Sequence, residues 1–171
     1  MAHPNDMDRD SLRQHRRSEA PGAPGAPVVV IGVDGSATSW DAFWWACGEA
    51  RRTAGRAIAV FVTPVGGSGL AAASARCSPF VIDCSAFDQV AVAEADELRN
   101  QAFRYAADRD VDLKFVHLRG DTAREILRVA EDDHADLIVV GKSTKARHHL
   151  AGSLGRRLIR RRHAPVVVVV P

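Results

Sequence analysis

Cysteine is scarce in this 171-residue chain, which has only Cys47, Cys77 and Cys84. An odd, sparse count does not build a disulfide framework. Six residues lie between Cys77 and Cys84, in a stretch that reads as loop. That spacing alone would admit a disulfide or a shared metal, and a reducing compartment disfavours it. Aromatic residues make up 6% of the chain. No apolar run approaches the ~20 residues that span a bilayer, and Val166–Val170 is only strand-sized. Residues 1–17 are polar and lack an apolar central region, so no secretory leader is expected and a cytoplasmic protein is. Net charge is also small, +2 from 23 Lys and Arg against 21 Asp and Glu. That balance excludes a broadly basic nucleic-acid binder. Residues 142–171 contain no acid at all.

The small net charge hides a segregation. Residues 1–26 carry four Arg and four acids. Residues 27–141 carry 11 basic and 17 acidic residues, net −6, and residues 142–171 carry eight basic residues, net +8. Either the basic end is a binding surface or it is a solvated helix face.

The tail closes in Ala-Pro-Gly-Ala-Pro-Gly-Ala-Pro, a density of proline and glycine that interrupts any regular element. A mobile, disordered tail over 1–26 and one domain over 27–171 are expected. Val28 to Val33 is a continuous β-branched run, as in strands buried on both faces. Trp40, Phe43, Trp44, Cys47, Ala50 and Ala54 then recur at helical spacing, with Ser36, Thr38 or Ser39 as cap. Ile58–Val62 is the second strand, and 64–88 is irregular. Helical spacing resumes at Ala91, Ala95, Leu98, Ala102 and Ala106. Leu113–Leu118 alternates weakly as a strand. Thr122 and Glu125 fit a capping box at the start of the next helix. Leu137–Val140 is a strand ended by Gly141. Leu150, Leu154, Leu158 and Ile159 form one helical stripe, and Val166–Val170 is the last strand. Strands alternating with helices predict a parallel sheet covered on both faces, a three-layer α/β/α domain.

In such sheets a ligand sits beyond the carboxyl ends of the strands, where the order reverses. Strand one ends at Asp34-Gly35-Ser36 and strand four at Gly141-Lys142-Ser143-Thr144. If those strands are neighbours, both loops open on one crevice. Gly141 permits close backbone approach. Ser143, Thr144 and Ser153 offer hydroxyls, and Gly152-Ser153 opens a helix whose free N–H groups favour phosphate. The Asp34 carboxylate suits a ribose hydroxyl or an amino group; the same residue could instead brace the turn. Gly141-Lys142-Ser143 imitates the end of a Walker A loop, but Asp136 stands where that loop needs its first glycine. Adjacent His148 and His149 diverge on a helix, so no metal centre is expected. No Ser–His–Asp or paired-carboxylate unit stands out. Arg156, Arg157, Arg160, Arg161 and Arg162 lie opposite the leucine stripe and read as a solvated face.

Residues 27–171 resemble a universal stress protein domain. The likeness rests on Val-Val-Val-Ile-Gly-Val-Asp-Gly-Ser, on Asp-Leu-Ile-Val-Val-Gly, on the later Gly-Ser and on the terminal Ala-Pro-Val-Val-Val-Val-Val. The resemblance implies a five-stranded parallel sheet of order 3-2-1-4-5. It also implies an adenine nucleotide, ATP, with magnesium only in its company, and a domain with little or no turnover. Asp34 matches the adenosine-contacting aspartate of the family, Val62 an adenine contact, and Gly141, Gly152, Ser153 and Leu154 its glycine motif. That motif reads Gly, two residues, Gly, nine residues, Gly-Ser. Here the middle glycine is Thr144, and seven residues separate it from Gly152. Lys142, Lys145 and Arg147 could supply the charge that the missing glycine cannot. The altered loop leaves a second reading open, a dimeric protein-interaction module that binds no nucleotide. In the implied strand order Val166–Val170 is an edge strand, and a homodimer through it is expected.

Overall fold

The computed structural model describes residues 25–64, 84–142, 153–160 and 165–171. Five strands and four helices alternate among them. They are β1 Val28–Gly32, α1 Ala37–Arg52, β2 Arg56–Thr63, α2 Cys84–Asp108, β3 Asp112–Arg119, α3 Thr122–Asp132, β4 Leu137–Gly141, α4 Ser153–Ile159 and β5 Val166–Val170. The strands form one parallel sheet in the order β3-β2-β1-β4-β5. The expected topology is therefore correct, and β1 and β4 are neighbours, with Val30 opposite Ile138 and Gly32 opposite Val140.

Alternation along the strands divides the core in two. Val29, Ile31, Ala57, Ala59, Phe61 and Val139 face α1 and α2. Val30, Ile58, Val60, Val62, Ile138 and Val140 face α3 and α4. Both sets are buried in β1, β2 and β4, which is why those strands read as continuous apolar runs. The edge strand β3 is only half-buried over most of its length, so its sequence alternates weakly. No helix among the described residues is long and apolar enough to cross a membrane.

Four expectations need correction. Trp44 is 46% exposed and Ala54 lies beyond α1 with φ 51°. The buried face of α1 runs instead through Ser39, Ala42, Phe43, Ala46, Cys47 and Ala50. Trp44 is turned about 140° along the helix from Ser39 and so leaves that face. The cap of α3 is Asp121, one residue before the expected one, because its carboxylate accepts the Arg124 N–H at 3.0 Å. Helix α2 begins at Cys84, within the stretch that reads as loop, while Cys77 lies outside the described residues. Leu158 is fully buried but Ile159 is 60% exposed, since it sits 100° round the helix from Leu158. Burial pushes the Cys47 thiol up to about 12, against a small opposing pull from Arg109, and so keeps it an inert apolar group.

Candidate functional site

The site is built where β1 and β4 end side by side. Val33 is still tied to the sheet, its N–H donating to the Val60 carbonyl at 3.0 Å. Asp34 is the first exposed residue beyond the core. Its Oδ1 accepts from the Ser36 amide at 3.0 Å and from the Ser36 hydroxyl at 2.6 Å. Ser36 is the N-cap of α1, its Oγ accepting the Ser39 N–H at 3.2 Å. Buried Ser39 donates its hydroxyl to the Ser36 carbonyl at 2.8 Å and accepts from the Asp34 amide at 3.3 Å. One carboxylate oxygen of Asp34 thus braces the turn, and the whole group stands at the rim.

Gly141 ends β4 directly against the first turn of α1. A Cβ there would overlap the Thr38 carbonyl and come within 2.7 Å of the Ser39 amide nitrogen. The close approach that only glycine permits is therefore to the backbone of the protein itself. Thr38 Oγ1 donates to the Lys142 carbonyl at 3.0 Å, and the Lys142 N–H donates to the Val170 carbonyl at 2.7 Å. These bonds stitch the β1–α1 loop, the end of β4 and the end of β5 into one rim. With its amide so engaged, Lys142 can meet an anion only through its exposed ammonium.

Val62 lies at the end of β2 and is 8% exposed within the α3–α4 side of the core. Half-buried Leu154 packs against the same cluster. Ser153 is the first residue of α4. The structure therefore brings together Asp34, Gly141 and Lys142 at one rim, and gathers Val62 and Leu154 in one core layer. Ser143, Thr144, Lys145, Arg147, His148, His149 and Gly152 lie outside the described residues.

Thr38 and Ser39 belong to this rim and were read from sequence only as possible caps. Nothing local in the sequence links Thr38 to Lys142, 104 residues away. Arg156, Arg157 and Arg160 are all exposed, as a solvated face requires, and Arg157 also donates to Asp121 Oδ1 at 2.6 Å and joins α4 to the start of α3. Arg157, with help from the Arg124 amide, holds the Asp121 carboxyl below its usual range. Arg161 and Arg162 lie outside the described residues. At the ends of β2 and β3, His117 Nε2 lies 2.8 Å from Thr63 Oγ1. Burial lowers the His117 pKa, Arg119 adds to that and Asp96 opposes it, which favours the uncharged ring. An open hollow of about 350 Å³ lies on α2, lined by Gln89, Val92, Ala93 and Asp96, none of them a candidate from the sequence.

The model of the universal stress protein family matches residues 27–170. A universal stress protein of Methanocaldococcus jannaschii is 30% identical over 148 residues, covering 82% of this chain and 80% of that protein. The universal stress protein UspA from Lactobacillus plantarum superposes with a TM-score of 0.69 at 23% identity, over 85% of this chain and 98% of its own. One from Archaeoglobus fulgidus, solved in complex with dAMP, gives 0.55 at 22% identity, over 85% and 97%. Other solved neighbours are complexes with cAMP and with AMP. At these identities the structural likeness establishes the fold. With its strand order, its two-layered core and a match over nearly the whole described domain, this chain belongs to the universal stress protein family.

Proposed function

We propose that this protein is a regulatory domain that binds an adenine nucleotide, ATP in particular, with little or no turnover. The observation that carries the reading is the stitched rim, where Thr38 fastens the Asp34 turn to the end of β4. It sets an exposed carboxylate acceptor beside a strand end, at the sheet's order reversal, where a ribose or adenine amino group finds a partner. Complexes of neighbours with dAMP, cAMP and AMP support the same ligand class. The residues present fit the adenosine half. Asp34 would take the sugar or base, Val62 and Leu154 would line its apolar side, and Gly141 keeps the two loops in contact. When bound, the nucleotide contributes its phosphates as the charge to be sensed. Lys142, with Ser143, Thr144, Lys145, Arg147 and Gly152-Ser153, would receive them, and magnesium would enter only with ATP. A cytoplasmic setting is part of the proposal and is checked by cell fractionation.

Calorimetric titration with ATP and AMP at near-physiological salt tests the reading. Binding is expected, and Asp34→Ala is expected to weaken it about tenfold to a hundredfold, the loss of one hydrogen bond to a charged group. Ser36→Ala removes the hydroxyl that caps α1 and bonds Asp34, and keeps both the carboxylate and its bond from the backbone amide at position 36. It should cost about 1 kcal/mol of stability as a lost cap and weaken binding far less than Asp34→Ala. No heat with either nucleotide at millimolar concentration would sink the proposal.

A specific feature supports the dimer as well. Val166, at the start of edge strand β5, is 67% exposed and the four valines after it are only half-buried. An apolar edge of this kind is an aggregation hazard unless another chain covers it, and pairing with a second copy about a twofold axis does so. Light scattering at micromolar concentration should give twice the chain mass. A monomer mass there rejects the dimer and leaves the nucleotide reading intact.

A further inference from the structure

Two tryptophans stand on the outer surface of α1, Trp44 at 46% and Trp45 at 44% exposed. Adjacent exposed indoles, on a helix that has already buried its core face, form an apolar patch without a partner. Tyr105 of α2 takes the inner side of Trp44, ring centroids 6.3 Å apart and planes 31° from parallel. Trp45 projects about 100° further round the helix, on the other flank. Gly48 lies one turn on, between the two indoles, and a Cβ built there would meet nothing within 4 Å. Glycine in mid-helix costs stability relative to alanine. Gly141 lacks a side chain because backbone of α1 fills the space, whereas no described residue fills it at Gly48. Bare backbone between two indoles admits a close approach from outside.

The same stripe carries its own charge complement. Asp41, Trp45, Gly48 and Arg52 follow at spacings of four, three and four residues. That spacing keeps them within about 60° of arc, opposite the buried Ser39, Phe43, Ala46 and Ala50. Asp41 is exposed near one end of α1, and Arg51 and Arg52 are exposed at the other. Neither Asp41 nor Arg51 is in an ion pair among the described residues, and Arg52 pairs along its own helix with Glu49. A stripe acidic at one end, basic at the other and even in spacing is complementary to itself read backwards. Reversed about the Ala46–Cys47 bond, Asp41 exchanges with Arg52 and Trp45 with Gly48. An antiparallel copy of the helix therefore sets carboxylate against guanidinium at both ends and an indole on bare backbone twice in the middle.

We propose that α1 packs antiparallel on α1 of a second copy about a twofold axis. Trp45 of each copy lies on Gly48 of the other, and Asp41 of each stands opposite the other's Arg51 and Arg52. The seam is small, so the association belongs to the weak class, with a dissociation constant between about 10 μM and 1 mM. It uses neither the rim nor the β5 edge, and so stands apart from the nucleotide reading and from the β5 dimer. Where both contacts form, two twofold interfaces on one chain build a closed tetramer or a longer array.

The test uses the full chain. Sedimentation velocity is followed from about 10 μM to about 1 mM protein, with the tryptophan indole N–H signals in NMR spectra over the same range. The mass should at least double across that range, whatever assembly it starts from. The Trp45 indole signal should move with it, while that of Trp40 stays in place. Trp45→Ala and Gly48→Glu should each weaken the association about tenfold or more. Gly48→Glu replaces a poor helix former with a good one, so the fold is kept even if Trp45→Ala folds poorly. Asp41→Arg alone, and Arg51→Asp/Arg52→Asp alone, should each weaken it about tenfold, because like charges then face each other twice. An equimolar mixture of those two variants should regain the wild-type association, since opposite charges meet again between unlike chains. A constant mass with an unmoved Trp45 signal overturns the proposal. Association that survives Gly48→Glu undiminished overturns it in favour of another surface. A mixture no stronger than its parts overturns the antiparallel register on which it rests.

Discussion

Gly141→Ala is expected to destabilise the protein by about 2–3 kcal/mol, the upper end for overpacking a tight site. The added methyl meets backbone, the Thr38 carbonyl and the Ser39 amide, and backbone at the first turn of a capped helix cannot swing aside as a long side chain would. Relief requires α1 to move off β4, which breaks the Thr38–Lys142 bond and opens the rim. Nucleotide affinity should therefore fall together with stability. Gly48→Ala is the matched control. Gly48 is exposed in the middle of α1 with nothing near a new Cβ. The same chemical change there should stabilise by about 1 kcal/mol through helix propensity and leave affinity unchanged. Urea unfolding and nucleotide titration of the two variants check both halves. An unaltered stability in Gly141→Ala would mean that the two elements are not packed as described.

Phe43→Ala should cost about 3–5 kcal/mol, typical for an aromatic side chain lost from a core. Phe43 is fully buried beneath α1 and makes edge-on contacts with Trp40 at 5.3 Å and Tyr105 at 5.6 Å. Among the described residues it is the largest fully buried side chain, and it joins α1 to α2 on one face of the sheet. Such a loss is a large part of the 5–15 kcal/mol that holds a typical domain together. The midpoint of urea unfolding should drop with little change in slope. A shift worth less than about 1 kcal/mol, the usual size of a surface effect, would contradict the packing of this layer.

The two predictions also mark what could be read from the residues alone. The core strands were legible because burial on both faces leaves runs such as Val28–Val33 unbroken. Their order came from the resemblance, since no local pattern distinguishes one buried parallel strand from another. Asp34 and Gly141 end on one rim because β1 and β4 are neighbours in the sheet. The reason for the glycine was not legible, because the atoms that exclude a side chain there belong to Thr38 and Ser39, about a hundred residues upstream. Thr122 was read as a cap because Asp121 and Thr122 are both good caps, and only the turn geometry chooses between them. Trp44 fitted a helical stripe by spacing, yet Tyr105 of α2 occupies that flank and leaves its outer face in solvent. The arginines of α4 read as one solvated face and are exposed, but the pairing of Arg157 with Asp121, distant in sequence, was not legible.

The central claim is that an adenine nucleotide sits on the rim formed by the ends of β1 and β4. Its most direct test is a titration of isotopically labelled protein with AMP, followed by the backbone amide signals. The account predicts progressive, saturable shifts at Gly35, Ser36, Thr38 and Lys142, moved in Asp34→Ala to about tenfold to a hundredfold higher AMP. Saturable shifts confined to other surfaces, or no shift at millimolar AMP and ATP, would contradict it.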